Sequence, residues 1–441
     1  MKIAPGYAPL PSGAYPGIFP GVEPMRIEPR VAFFPDSFAE VNGVAHTSRQ
    51  FVAFAERRNL PMLCVHGGGR TERVVEGGVT RLSLRRGNVG FGLEADFRYD
   101  LFFWRHAERA IEAAREFKAN VAHVTGPNDA GQLGAYVAHK LRLPLVISWH
   151  TNVHEYAARR LNKLMAPLPD AWRERLASLA ERQSLRATLR FYQLGRALLA
   201  PNEELRDLLA RETGKPTQLM RRGVDASLFS PAKRLRNDGA FLIGYVGRLT
   251  PEKNVRSLVE LERGLIGAGA GDFRFLIVGC GSEREWLERR MRRAEFTGVL
   301  RGEALARAYA NLDLFVFPSQ TDTFGNVVLE AQASGVPCLV SSRGGPKSVI
   351  RTGAGNGASG MAADTPREFL EATLGLMSQP EKLNRMREAA LARAREFSWD
   401  GVFEQVYQTY EDCLRRMADV STDSILSPHR VAITDVNAAI R

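Results

Sequence analysis

Short apolar runs alternate along the chain with longer segments in which apolar residues recur every three or four positions. Each run is four to six residues long and ends in a loop of small, polar or basic residues, a pattern typical of buried strands. The longer segments, such as the one after Gly43, are typical of amphipathic helices. This alternation predicts an α/β fold whose parallel sheets are covered by helices. The predicted strands span residues 31–34, 61–65, 121–124, 144–148, 242–246, 273–278, 312–317 and 337–340.

The alternation occurs twice, and a polar, charged connection separates the two halves. In open α/β sheets, ligands bind at the carboxyl ends of the strands, so the loops that follow the strands are the candidate binding regions. A Pro/Gly-rich arm precedes the first strand, and an amphipathic helix starts near Ser398. The predicted divisions are an arm at 1–29, an N-terminal domain at 30–221, a linker at 222–239, a C-terminal domain at 240–396, a helix at 397–418 that packs back on the N-terminal domain, and a tail at 419–441.

The composition is that of an ordinary globular protein, with 441 residues of which 44% are hydrophobic and 25% charged. This length suggests roughly two or three domains. The four cysteines form no CxxC pair, which argues against a zinc ribbon or a disulfide framework and favours a reducing, cytoplasmic compartment. The longest uncharged run, at 3–22, is rich in proline and therefore predicts neither a membrane-spanning helix nor a signal peptide.

The net charge of +11 concerns the partners of the protein rather than its fold. It is compatible with nucleic acid, an anionic membrane face or a phosphorylated substrate, and also with an arginine-rich composition alone. A nucleic-acid binder would need a recognisable reading motif or an aromatic platform, and we identify neither, so we expect no nucleic-acid partner. Basic residues outnumber acidic ones nine to three between Arg159 and Arg196, with leucines interleaved. Such a stretch is typical of a solvated helix face and also of a helix lying on an anionic membrane.

Several common nucleotide and metal motifs are missing. No GxxxxGK[ST] phosphate loop occurs, and the Gly279-x-Gly281 pair lacks the third glycine of a dinucleotide fingerprint, which disfavours a dehydrogenase. No HExxH motif and no Asp-x-Asp pair occur either. An Asp-x-Asp pair commonly holds a divalent ion on the diphosphate of a nucleotide sugar, so we expect no bound metal and no cofactor.

The densest group of polar residues follows the predicted strand at 312–317. Asp322 lies on the loop, and a helix is predicted to begin near Gly325, where the absence of a side chain lets a ligand approach the backbone. The unpaired N–H groups at a helix N-terminus suit a phosphate. Glu330 lies about one turn into that helix, where its carboxylate can accept hydrogen bonds from vicinal hydroxyls such as those of a ribose. Asp322 could hold a second polyol.

A second group of residues follows the strand at 242–246. Arg248 comes directly after that strand, and Lys253 follows in the next turn. Two cations in one loop suit a diphosphate, because arginine offers a fork of donors and lysine a point charge. On a basic protein, the same two residues could equally be ordinary surface cations.

Together, GRLTPEKN at 247–254 and PSQTDTFGNVVLEAQASG at 318–335 resemble the motifs of retaining nucleotide-sugar glycosyltransferases of family 4. That resemblance covers about residues 30–417 and implies the GT-B fold, in which two Rossmann-like domains face a cleft. The wording TFGNVVLEA is most similar to glycolipid-type members such as sulfoquinovosyl and mannosyl transferases. Asp322 stands where the family's E-x7-E motif begins with Glu, and Lys347 stands where its GGxPE loop has Glu.

The resemblance also implies roles for the site residues. Arg248 and Lys253 would neutralise the leaving diphosphate in place of a metal, and Gly43 would let an N-terminal loop close on it. Asp322 would bind the transferred sugar, and His150 would approach that sugar from the N-terminal domain. The remaining substrate-binding residues would be Glu330, on the ribose, and the backbone of Gly325, Asn326 and Val327, on the phosphate and sugar.

The expected reaction is therefore hexosyl transfer from a nucleotide-diphosphate sugar, with retention, to an acceptor bound by the N-terminal domain. A lipid acceptor and a peripheral position on the inner face of the cytoplasmic membrane are the expectations that the basic stretch supports. Alternatives stay open at this point: a nucleotide-sugar epimerase or a phosphorylase of the same fold, although nothing marks the cofactor lysine of a phosphorylase. A basic nucleic-acid binder is a further alternative, but it leaves Asp322 and Glu330 unexplained.

Overall fold

The computed structural model describes residues 28–40, 42–87, 89–92, 98–150, 170–353 and 357–426. Within these residues the strands form an eight-stranded sheet, a six-stranded sheet and a two-stranded ribbon. All the strands predicted from the sequence are present, with ends shifted by at most a few residues. The α/β class and the two Rossmann-like sheets are thereby confirmed.

The first sheet has the strand order β10-β9-β8-β7-β1-β2-β4-β3. Its neighbouring strands run parallel except β3, which pairs antiparallel with β4 at one edge. The strands β1, β2, β7 and β8 carry near-continuous apolar runs, as expected for a sheet covered on both faces. The strand bounds are β1 Val31–Phe34, β2 Met62–Gly68, β3 Glu72–Glu76, β4 Val79–Arg85, β7 Val121–Val124, β8 Leu145–Ser148, β9 Ala197–Ala200 and β10 Thr217–Leu219; the separate ribbon is β5 Gly90–Gly92 with β6 Arg98–Asp100.

The second sheet has the order β13-β12-β11-β14-β15-β16, and all its pairs are parallel. In both sheets the carboxyl ends of the parallel strands lie along one edge, where the candidate site residues occur. The bounds are β11 Phe241–Val246, β12 Phe273–Val278, β13 Ala294–Gly298, β14 Leu314–Phe317, β15 Cys338–Ser341 and β16 Gly360–Ala363.

The helices cover both faces of the sheets. No helix among the described residues is both long and apolar enough to span a bilayer. Short 3-10 helices lie at Phe103–His106, Pro231–Lys233 and Pro251–Lys253. The α-helices are α1 Gly43–Arg57, α2 Ala107–Glu116, α3 Asp129–Leu141, α4 Asp170–Tyr192, α5 Glu203–Thr213, α6 Ser257–Gly267, α7 Arg284–Glu288, α8 Gly302–Ala310, α9 Asn326–Ala333, α10 Pro346–Val349, α11 Pro366–Met377, α12 Pro380–Ala394 and α13 Trp399–Leu426.

The C-terminal helix α13 packs against the first sheet rather than the second. Its buried side chains, among them Phe403, Val406 and Tyr410, share one apolar cluster with β1 and with helix α1. The helix continues to Leu426, so the tail predicted from residue 419 starts too early. No glycine or proline interrupts residues 419–426, and the first helix-breaking residue after position 418 is Pro428.

The chain passes between the two sheets at two points that lie side by side. The N–H of Val224 donates to the carbonyl of Phe397 at 3.0 Å. A Cβ atom added to Gly223 would lie 2.4 Å from the backbone nitrogen of Trp399, so only glycine fits there. The two backbone segments that cross between the sheets are therefore in direct contact and hydrogen-bonded to each other.

Candidate active site

The predicted acidic loop lies between β14 and α9, at the carboxyl edge of the second sheet. Gly325 occupies the position before the helix with a φ of 97°, a left-handed conformation that favours glycine. The helix then starts at Asn326, and its first N–H groups lack intrahelical partners. Asn326 and Val327 are partly exposed at this end. The local geometry thus offers backbone donors and positive potential to an anion.

Lys253 and Asp322 form an ion pair at the mouth of this loop. The Nζ of Lys253 lies 2.6 Å from Oδ1 of Asp322, and the two side chains are 11% and 22% exposed. Burial opposes ionisation of Asp322, but attraction to Lys253 outweighs it, and the pKa of this carboxyl lies below its usual value. A hydrogen bond from Ser319 also lowers that pKa, and the Oδ2 oxygen is buried. An ionised carboxylate, still 22% exposed, thus lies at the mouth of the loop.

Arg248 lies in the same loop as Lys253. It directly follows Gly247 at the end of β11, and its carbonyl accepts a hydrogen bond from the hydroxyl of Tyr245 at 2.8 Å. Its guanidinium is 39% exposed and lies 3.8 Å from the carboxylate of Glu252. The loop therefore presents one nearly buried cation and one more exposed cation on the carboxyl edge of the sheet.

Glu330 lies one turn into α9 and faces α8. Its Oε2 accepts a hydrogen bond from the hydroxyl of Tyr309 at 2.8 Å. Burial raises the pKa of Glu330 to about 7, against the smaller effect of the Tyr309 hydrogen bond. A carboxyl group that titrates near neutral pH therefore stands beside the N-terminus of α9.

Residues of the first sheet meet this loop directly. The hydroxyl of Thr323 donates to the carbonyl of His150 at 3.1 Å, and the amide of Asn202 donates to the carbonyl of Thr323 at 2.6 Å. A Cβ added to Gly43 would lie 3.5 Å from Nδ2 of Asn326, so the start of α1 faces the start of α9. The cleft between the two sheets is thus bounded by the acidic loop on one side and by these loops on the other.

An ion pair also crosses the cleft. Nζ of Lys347, on α10, lies 2.6 Å from a carboxylate oxygen of Glu204, on α5. The side chains are 40% and 65% exposed, so solvent screens their attraction. Lys347 is the residue that replaces the glutamate expected from the family pattern, and it bonds to the opposite side of the cleft.

The ring of His150 belongs to a buried chain of hydrogen bonds. Arg222 approaches its Nδ1 at 3.1 Å, and its Nε2 lies 2.7 Å from Oγ of Ser148. The same Oγ lies 2.9 Å from Nε2 of His123, whose Nδ1 lies 2.6 Å from the hydroxyl of Tyr410 on α13. These hydrogen bonds therefore link three parts of the molecule: the segment that joins the two sheets, the strands β7 and β8, and the C-terminal helix α13.

The direction of every hydrogen bond in this chain follows from one residue. A guanidinium can only donate, so Arg222 requires Nδ1 of His150 to accept, and the neutral ring then donates from Nε2 to Ser148. Ser148 in turn donates to His123, and His123 donates to Tyr410. Burial lowers the pKa of His150, with a further contribution from Arg222, and lowers the pKa of His123 to about 3, which keeps both rings neutral.

A cluster of carboxylates at the ends of β1 and β7 escaped the sequence analysis. Asp36 and Asp129 are both nearly fully buried, and Arg86 donates to Oδ1 of Asp129 at 3.1 Å and to Glu40 at 2.9 Å. Burial, together with repulsion from Asp129, raises the pKa of Asp36 to about 8. Asp36 follows a strand singly, without a recognisable motif, so only the folded chain places it beside Asp129.

The structure brings most of the predicted site residues to one cleft. Lys253, Asp322 and Asn326 lie on the side of the second sheet, and Gly43 faces them from the other side. The ring of His150 is directed into the buried chain, whereas its carbonyl meets the acidic loop; its predicted approach to the sugar stays a prediction. Among the described residues, no group of three His, Cys, Asp or Glu side chains could hold a metal ion. Residues 159–169 of the basic stretch lie outside the described residues.

Sequence comparisons identify related proteins. Residues 41–228 match the model "Glycosyltransferase Family 4", and residues 240–379 match the model "Glycosyl transferases group 1". A GDP-mannose-dependent alpha-mannosyltransferase of Corynebacterium glutamicum is 32% identical over 313 residues, covering 68% of this chain and 69% of that protein. One of the same name from Mycolicibacterium smegmatis is 33% identical over 319 residues, covering 70% of this chain and 77% of that protein.

A structural comparison extends the similarity to the whole fold. The sucrose-phosphate synthase of Thermosynechococcus elongatus superposes with a TM-score of 0.66, covering 88% of this chain and 100% of that one at 17% sequence identity. At that identity, the likeness concerns the fold alone. It is the GT-B arrangement of two Rossmann-like domains.

Proposed function

Because this chain belongs to family 4 of the glycosyltransferases, we propose that it transfers a hexosyl group from a nucleoside-diphosphate sugar with retention of configuration and without a bound metal ion. The observation that carries this proposal is the Lys253–Asp322 ion pair, 2.6 Å long, beside the N-terminus of α9. It combines a cation for the diphosphate with a carboxylate for the sugar.

The leaving group defines what the cations do. Cleavage of the bond between the anomeric carbon and the phosphate oxygen leaves positive charge on the sugar ring and negative charge on the diphosphate. Lys253, Arg248 and the N–H groups at the start of α9 are fixed before the reaction, so they stabilise that negative charge without reorganisation. These groups can replace the divalent ion that an Asp-x-Asp pair would hold.

Asp322 and Glu330 would bind different parts of the donor. The ionised carboxylate of Asp322, 22% exposed, can accept hydrogen bonds from hydroxyls of the transferred sugar. Glu330, one turn further along α9, is placed to accept from the ribose hydroxyls. Asp322 reaches one methylene less far than the glutamate usual in the family, so the bound sugar must lie closer to the loop.

GDP-mannose is the donor to test first, because the two relatives described above are GDP-mannose-dependent alpha-mannosyltransferases. For the acceptor we propose a lipid, bound by the N-terminal domain while the protein lies peripherally on the inner face of the cytoplasmic membrane. The positive net charge and the basic residues at 159–196 support that placement.

Donor binding can be tested by thermal unfolding with GDP-mannose and with UDP, GDP and ADP sugars, all in EDTA. We expect a shift of several degrees with one nucleotide family. Glu330→Gln should reduce that shift, whereas Glu285→Gln, a change of an 84% exposed glutamate on α7, should retain it in full. The absence of any shift in EDTA together with a shift in magnesium would overturn the metal-free proposal.

The reaction itself is tested by proton NMR of the product. Retention predicts an α-linked product from an α-linked donor. Formation of an epimerised nucleotide sugar without an acceptor would instead identify an epimerase.

A further inference from the structure

A basic cavity opens at the carboxyl end of β4, away from the donor loop. Its volume is about 350 Å³. β4 is two strands from β1 in the sheet, and Arg86 of the cavity lining donates at 2.9 Å to Glu40 on the β1 loop that leads to Gly43, so the cavity borders that loop. Its lining residues are Thr71, Arg85, Arg86, Gly87, Arg105 and His106.

Buried carboxylates pair with two of the arginines that line this cavity. Arg105 donates to Asp100 at 2.8 Å, and Arg86 donates to Asp129 at 3.1 Å. Both of these carboxylate side chains are only 1% exposed, so they fix the forks without facing the cavity. Arg85 is exposed, and no carboxylate of the described residues pairs with it. Arg86 is only 13% exposed and also pairs with Glu40, so the solvent-facing positive charge of the cavity comes from Arg85 and Arg105.

Exposed apolar side chains surround this positive charge. Val89, Leu101, Phe102 and Trp104 are between 46% and 60% exposed. They lie on the loops that form the cavity: a guanidinium nitrogen of Arg105 donates to the carbonyl of Phe102 at 2.8 Å, and the N–H of Leu101 donates to the carbonyl of Val89 at 3.3 Å. Exposed apolar groups collected at one place on a soluble chain mark an interaction surface.

We propose that this cavity binds the phosphate of an anionic phospholipid, with the apolar rim inserted among the acyl chains. Arginine forks match phosphate oxygens, and aromatic side chains are favoured at the membrane interface because one end is apolar and the other wet. The proposal rests on the proposed function, because it supplies the surface on which a lipid acceptor would reach the cleft. It uses residues outside the basic stretch at 159–196.

The test is sedimentation with vesicles at physiological ionic strength. We expect binding to vesicles of phosphatidylcholine and phosphatidylglycerol mixed at about three to one, and none to phosphatidylcholine alone. Arg85→Gln should weaken binding about fivefold, and Phe102→Ser about tenfold. Two control changes, Arg289→Gln on the second domain and Leu235→Ser on the connection between the domains, remove an exposed arginine and an exposed leucine and should bind like the wild type.

Each alternative result has a defined meaning. Equal vesicle binding by Arg85→Gln, Phe102→Ser and the wild type would overturn the proposal. A second result is that inorganic phosphate raises the melting temperature of the wild type but not that of Arg85→Gln, while neither protein binds vesicles. That result would overturn the lipid assignment in favour of a soluble phosphorylated acceptor. The thermal shift with the nucleotide sugar should be unchanged in Arg85→Gln, so failure of the surface is distinguishable from failure of the donor site.

Discussion

At the scale of single residues, the proposed donor site is built around the Lys253–Asp322 ion pair. Substitution Lys253→Met leaves the carboxylate of Asp322 nearly buried without its partner. We expect the free energy of unfolding to fall by about 2 kcal/mol, less than for a fully buried pair because both side chains retain some exposure. Urea denaturation of the wild type and of Lys253→Met measures this difference, and Lys253→Arg, which keeps the charge, is the control.

The same substitution should affect catalysis more than stability. Loss of a preorganised cation at the leaving group is expected to lower kcat/KM at least about 100-fold. A steady-state assay of Lys253→Met with EDTA present measures this loss, and Lys382→Met, on α12, is the control. Wild-type kcat/KM in Lys253→Met would contradict the role of this lysine.

Glu330 should make donor binding depend on pH. Its pKa of about 7 means that the carboxyl is neutral below that pH and ionised above it. The ionised form accepts the stronger hydrogen bonds from hydroxyls, so donor affinity should rise as the pH increases from about 6 to about 8. Calorimetric titration of the nucleotide sugar across this range measures the slope. Glu330→Gln should flatten it, and an affinity that falls with pH in the wild type would contradict the prediction.

At the scale of elements, the buried chain from Arg222 to Tyr410 attaches helix α13 to strands β7 and β8. His123 has a lowered pKa in the folded chain, about 3, against about 6.5 when unfolded. The unfolded chain therefore takes up a proton first, and stability should be full above pH 6.5 and fall progressively between 6.5 and 3. At about pH 5 the loss from this one ring is about 2 kcal/mol.

Denaturation at several pH values tests this pH dependence. His123→Gln should reduce the slope of stability against pH below 6.5, whatever its effect at neutral pH. His139→Gln, a change of an exposed histidine on α3, should leave the slope unchanged. Should His123→Gln not fold, Tyr410→Phe removes only the acceptor at the end of the chain, with an expected loss of about 1 to 3 kcal/mol.

Eight of the sixteen strands in the described residues were predicted, because their apolar runs are local information. The strands β1, β7 and β12 have the predicted bounds. The edge strand β3 was not predicted, because exposed residues on the rim of a sheet have no continuous apolar run. The placement of Asp322 on a loop and of Glu330 on the next helix was also predictable, since the two residues are eight positions apart. The contact between His123 and Tyr410 was not, because those residues are 287 positions apart in the chain.

At the scale of the whole molecule, the Lys347–Glu204 ion pair joins the two sides of the cleft. Lys347→Glu places like charges at that point and should raise KM for the nucleotide sugar a few-fold with little change in kcat. Glu204→Lys combined with Lys347→Glu reverses the pair and should restore the wild-type KM. A steady-state comparison of the single and double variants measures this. Additive effects in the double variant would contradict the coupling.

The double crossing at Gly223 and Trp399 constrains how the cleft can move. A single covalent tether would allow the two halves to swing, twist and slide relative to each other. Two adjacent backbone segments, joined by the hydrogen bond between Val224 and Phe397, act instead as a two-point hinge. Rotation about one axis remains easy, whereas twisting would have to break that bond. We therefore expect the cleft to open and close by rotation about this one axis, which would return Lys253 and Arg248 to the same position relative to the N-terminal loops each time.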